Sequence, residues 1–118
     1  MPFGTPGADV QTQAMLQVLL NIVDFNIPLQ EAVELPRFAS YDAPDSFEPH
    51  QYQRRLLKIE EGVNNDVREM LVNYGHLVES WPHHTWKAGA VCAILDQPSP
   101  RLLSGAADPR RPCLALGF

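Results

Sequence analysis

The sequence predicts a small α/β layered fold with a largely antiparallel sheet. Three observations predict it. A loop rich in glycine and proline runs straight into a long apolar helix. A later segment carries a clear 3.6-residue apolar period. Short branched runs, separated by turn residues, fill the rest of the 118 residues, and no repeat or interdomain linker divides them. We therefore read residues 1–118 as a single domain.

The opening loop spans residues 2–8, where two glycines and two prolines act as punctuation. Asp9 stands at the expected N-cap of a helix running from about Val10 to Phe25. Gln13, Gln17, Asn21 and Asp24 form one narrow polar stripe on that helix, and Ala14 to Val23 is otherwise almost entirely apolar. So narrow a stripe predicts burial on most sides. A short helix from Pro28 to about Glu34 follows, opened by one proline and ended by Pro36. Residues 37–53 show no periodicity and read as loop, with Phe47 the expected anchor into the core.

Leu56–Glu60 reads as a strand. Asn64 or Asn65 then caps a helix whose face is Val67, Met70, Leu71 and Tyr74, and Gly75 follows it. His76–Trp81 reads as strand, Pro82–Lys87 as loop, and Gly89–Leu95, Arg101–Ser104 and Cys113–Gly117 as three further strands. A glycine loop feeding a buried helix usually leaves a strand, so a strand or two is expected before Gly4 and the chain reads as starting in mid-architecture.

A net charge of −5 and a pI near 5.2, with scattered basic residues, argue against nucleic acid as a partner. The longest apolar stretch, Met15–Phe25, is too short and too interrupted to cross a bilayer. No signal-peptide pattern opens the chain, and the compartment stays open. Cys92 and Cys113 lack zinc or redox spacing; buried free thiols in strands are expected, with a disulfide between neighbouring strands left open. No cofactor motif is present.

The candidate chemistry lies in Gly4-Thr5-Pro6-Gly7-Ala8-Asp9. Backbone N–H groups just before a helix start, aided by the helix dipole, can hold an anion or the oxyanion of an acyl-transfer intermediate. On spacing alone a plain helix-entry turn is the commoner outcome, since no Walker lysine follows. His83-His84 between Trp81 and Trp86 fits no metal-ligand spacing, so no metal is expected; the loop's aromatic rings are expected to pack over a sheet edge or a partner. Asp42, Asp45 and Glu48 read as a solvated loop face. Asp108 and Arg110 read as locally bonded residues of a turn between the last two strands.

Three segments together resemble the gamma-glutamyltransferase family. Met1–Gln11 is similar to that family's glycine–glycine loop, Glu31–Phe38 to its helix ending in Pro-Arg, and Leu103–Arg111 to its Gly-x-x-Asp-Pro-Arg signature. The order is right and the segments cover almost the whole chain. The resemblance implies the C-terminal part of the small subunit of an N-terminal-nucleophile (Ntn) hydrolase, a four-layer αββα sandwich cut from a precursor. It implies transfer or hydrolysis of gamma-glutamyl or similar amide-linked acyl groups through an acyl-threonine intermediate. It maps the oxyanion hole onto the backbone N–H groups of Gly7 and Ala8, and places the nucleophile upstream of this loop; Thr5 is not that residue. The family's second glycine is Ala8 here. A positive φ at that position would strain the alanine, whereas a negative φ would be harmless.

The partner implied is the N-terminal part of the same enzyme, or a second copy paired through exposed sheet edges. The isolated chain is expected to be inactive. The alternative expectation is a non-catalytic remnant acting as a binding or oligomeric module.

Overall fold

The structure is a computed structural model that describes residues 1–98 and 101–117. In chain order the elements are β1 (Phe3–Gly4), α1 (Val10–Val23), α2 (Leu29–Glu34), β2 (Phe38–Ser40), β3 (Leu56–Glu60), α3 (Asn65–Asn73), β4 (Leu77–Trp81), a 3-10 turn (Trp86–Ala88), β5 (Cys92–Pro98) and β6 (Arg101–Ala106). They form two three-stranded sheets.

The first sheet, in order β1-β5-β6, is antiparallel throughout, with Phe3 opposite Ala93 and Ala93 opposite Ala106. The second, β2-β3-β4, mixes an antiparallel pair with a parallel one. The parallel pair follows from connectivity: α3 lies between β3 and β4 in the chain, and a helical crossover returns the chain in the same direction.

The core joins α1, α2 and both sheets. Val10, Ala14 and Val18 of α1 pack with Leu29 and Val33 of α2, with Trp81 of β4, and with Ala93 and Ala106 of the first sheet. The alanines let helix and strand backbones approach closely, at the expense of apolar area per residue. Tyr41 meets the Trp81 ring edge-on, centroids 6.3 Å apart at 84°.

Helix α3 is the element the sequence encodes most completely. The Asn64 side chain accepts the Asp66 N–H, and Gly75, at φ +95°, ends the helix. Gly75 N–H donates to Val72 C=O and His76 N–H to Leu71 C=O, a Schellman ending that needs a left-handed residue at Gly75.

Several expectations are corrected. Helix α1 is not buried on most sides: only the Val10, Ala14, Val18 stripe is buried, while Leu16 is 55% exposed. Nor is its polar stripe the solvent face. Gln13 exchanges two hydrogen bonds with the Ser40 backbone, 2.8 Å from its N–H and 3.0 Å to its C=O, and Gln17 does the same with Phe38 at 3.0 and 2.9 Å. Two amides one helical turn apart thus imitate a neighbouring strand and cover the free edge of β2. That explains both the stripe and why β2, inside a stretch without periodicity, was unreadable.

The face Val67, Met70, Tyr74 of α3 is exposed, since no other element of the described residues lies over it. Phe47 is 63% exposed and anchors nothing. Residues 113–117 form no strand, and both cysteines are exposed rather than buried.

Candidate functional site

The loop between β1 and α1 is held at several points. Pairing of Phe3 and Gly4 with Ala93 and Cys92 fixes where it begins. Thr5 Oγ1 accepts the Ala90 N–H at 2.6 Å and donates to Pro6 C=O at 2.8 Å, and the Gln11 amide donates to Thr5 C=O at 2.6 Å. Gly89, at φ +82°, lies directly beneath: a Cβ there would stand 2.8 Å from Thr5 Oγ1. Thr5 is therefore a positioning group. Val10 N–H donates to Gly7 C=O and Gln11 N–H to Ala8 C=O, which closes the first turn of α1.

Gly7 has φ +139° and Ala8 φ +50°. The second value is in the left-handed region, so the strained alternative holds and the Ala8 Cβ costs roughly 1–2 kcal/mol relative to glycine. Among the described residues, neither the Gly7 nor the Ala8 N–H donates to a protein acceptor. Two consecutive amides are thus unpaired at the start of a 14-residue helix, where the macrodipole adds partial positive charge.

Gly7 and Ala8 border a cleft of about 540 Å³, whose polar lining includes Asp9, Gln13, Ser40 and Asp45 but no lysine or arginine. Asp9 does not cap α1 as expected. Its own backbone is already helical (φ −67°, ψ −11°), and its carboxylate accepts both the N–H and the hydroxyl of Ser46. Those two bonds hold its pKa below the ordinary 3.8, the Ser46 hydroxyl having the largest influence. Asp9 so latches the 42–53 loop onto the helix start. Of that loop's acids, Asp42 accepts the Tyr52 hydroxyl at 3.0 Å, Asp45 accepts the Phe47 N–H, and Glu48 pairs with His50; both Asp42 and Glu48 are exposed.

His83 and His84 stack with centroids 3.8 Å apart, and each faces a backbone carbonyl, of Glu61 and Glu34, at 3.3 Å. Trp81 belongs to the core, whereas Trp86 is exposed beneath the Arg111 guanidinium.

Asp108 and Arg110 do bond locally, but the expected turn is the centre of a buried network. Asp108 binds Arg37 at 2.6 Å and Arg110 at 3.0 Å, and accepts the Val91 N–H at 2.7 Å. Arg110 also forks onto Glu60, whose carboxylate accepts the N–H groups of Arg37 and Thr85. Burial and the facing Arg110 lower the Arg37 pKa, while for Arg110 burial is outweighed by Glu60 and Asp108 and the net shift is upward. Two cations balance two anions, so no net charge is buried. The network ties α2, β3, β5 and the turn after β6, and it anchors the strand against which the glycine loop is laid. Of these positioning groups, Gln11, Arg37, Asp108 and Arg110 lay inside readable motifs; Ser46, Glu60 and Gly89 carried no local signal of this role.

Comparison with known proteins agrees with this architecture. Residues 1–118 match the gamma-glutamyltranspeptidase family. The acylase ACY 1 proenzyme of Pseudomonas sp. (strain V22) is 33% identical over 104 residues, 88% of this chain and 16% of that protein. The glutathione hydrolase proenzyme of Pseudomonas sp. (strain A14) is 31% identical over an alignment covering 100% of this chain and 20% of that protein. A mutant gamma-glutamyltranspeptidase from Helicobacter pylori superposes with TM-score 0.70 at 28% identity, over 92% of this chain and 53% of that one. The chain thus spans a fifth or less of the curated relatives it matches. Its mixed α/β architecture is part of the Ntn-hydrolase fold. This chain belongs to the gamma-glutamyltranspeptidase family.

Proposed function

We propose that this chain is the C-terminal segment of an enzyme that transfers or hydrolyses gamma-glutamyl or similar amide-linked acyl groups, and that Gly7 and Ala8 supply its oxyanion hole. The observation that carries the proposal is the pair of adjacent, unpaired N–H groups at the head of α1, on the rim of a cleft. As the acyl carbonyl is attacked, charge gathers on its oxygen. Two fixed donors that need no reorganisation stabilise that charge more than they stabilise the ground-state carbonyl.

The attacking hydroxyl, in this reading, is a threonine on a separate N-terminal segment, whose α-amine takes the proton. The cleft lining contains two carboxylates and no cation of its own, so the groups that hold a glutamyl α-carboxylate also belong to that segment. Exposed apolar faces on α1 and α3 fit a chain that completes its core against such a partner.

The test compares two preparations on a chromogenic gamma-glutamyl anilide. Met1–Phe118 alone is expected to release no anilide, and the chain assembled with a threonine-led family segment is expected to turn over. Release by the chain alone, or an inactive assembly that is nonetheless folded, would refute the proposal.

A further inference from the structure

The two cysteines stand outside the site described above. Cys92 opens β5 opposite Gly4 of β1, and its exposed side chain shares the outer sheet face with Ile94. Cys113 is 21 residues further on (113 − 92), past the buried turn. Asp108 brings the two together. Its carboxylate holds the N–H of Val91, the residue before Cys92, and its backbone carbonyl lies 2.9 Å from Cys113 Sγ.

The following residues continue over the same face. Cys92, Gly4, Leu114 and Leu116 line one cavity of about 580 Å³, and the Ala115 methyl lies 3.2 Å from where a Cβ on Gly105 would stand. Gly105 pairs with Ile94, two residues along β5 from Cys92. Asp108 and this shared cavity thus bring the two cysteines to one side of the sheet, and both are exposed to a small reagent.

We propose that Cys92 and Cys113 are a redox-modification site. With a small disulfide such as oxidised glutathione they close an intramolecular disulfide that fastens residues 113–116 across the β1–β5 edge. Partial desolvation of its sulfur and the neighbouring Cys92 push the Cys113 thiol up, which disfavours it as the first nucleophile. Cys92 thiolate attacks the oxidant and displaces one glutathione thiolate. Cys113, once deprotonated, attacks the Cys92 sulfur and displaces the second. The protein loses two electrons and two protons, and the oxidant becomes two glutathione molecules. Because β1 leads directly into the glycine loop, the closed bond stiffens the support of that loop.

The chain Met1–Phe118 is incubated with oxidised glutathione, native and in urea, and followed by free-thiol titration and intact mass. The native chain is expected to lose both thiols and two hydrogens while remaining monomeric, at least about tenfold faster than in urea. Its oxidised form is expected to melt on the order of 10 °C higher than the reduced one. Cys113→Ser is expected to stop at a single glutathione adduct on Cys92. Equal rates in native and denaturing conditions, adducts on both cysteines without closure, or intermolecular dimers as the main product would each overturn the proposal.

Discussion

Replacing Ala8 by glycine is the sharpest perturbation of the loop. Ala8 holds φ +50°, where an L side chain costs roughly 1–2 kcal/mol and glycine almost nothing. Glycine returns about 0.4–1 kcal/mol of that through its greater freedom in the unfolded chain. The difference leaves Ala8→Gly more stable by roughly 0.5–1 kcal/mol. With an m-value near 1.5 kcal/mol/M, the urea midpoint should rise by about 0.3–0.7 M at unchanged slope. Ala8→Val, β-branched at the same φ, should lower it by a comparable amount or more. Equilibrium urea unfolding followed by tryptophan fluorescence measures both. A lower midpoint for Ala8→Gly would mean that Ala8 does not hold a left-handed backbone, and the geometry assigned to the paired amides would fail with it.

Further predictions concern the supports of the loop. Asp108→Asn leaves Arg37 and Arg110 facing one another without their shared carboxylate and is expected to lose about 3–5 kcal/mol, read as a collapse of the thermal transition. Gln17→Ala removes both partners of the Phe38 backbone and is expected to cost about 1–2 kcal/mol, with faster amide exchange at Phe38. The Asp9–Ser46 latch has a pH sign. Because the folded pKa of Asp9 lies below 3.8, its contribution is fully present above that value and lost as pH falls through the folded pKa. Proteolysis within residues 42–53 is therefore expected to accelerate in acid, and Asp9→Asn to show that acceleration already at neutral pH.

The readable parts of this chain were those with local causes. Helix α3 has its cap, its period and its terminal glycine in one short stretch, and α2 lies between two prolines. The glycine loop was legible as a loop, and its φ values decided a question that the letters Gly7-Ala8 posed but could not answer. What could not be read depended on distant residues. Gln13 and Gln17 look like a solvated stripe until β2 arrives beside them. Asp9 looks like a cap until Ser46 captures it. Asp108 and Arg110 look like a local turn because Glu60, which completes their network, is 48 residues before Asp108 (108 − 60) and carries no motif. The exposed faces of α1 and α3 misled for a further reason: an apolar period says that a face is to be covered, and not by which chain.

The most direct test of the central claim is a crystal structure of this chain assembled with its threonine-bearing partner and trapped as a tetrahedral acyl adduct. The account predicts the Gly7 and Ala8 nitrogens at about 2.7–3.1 Å from the adduct oxygen. An oxygen held by other donors, with those two amides turned away, would contradict it.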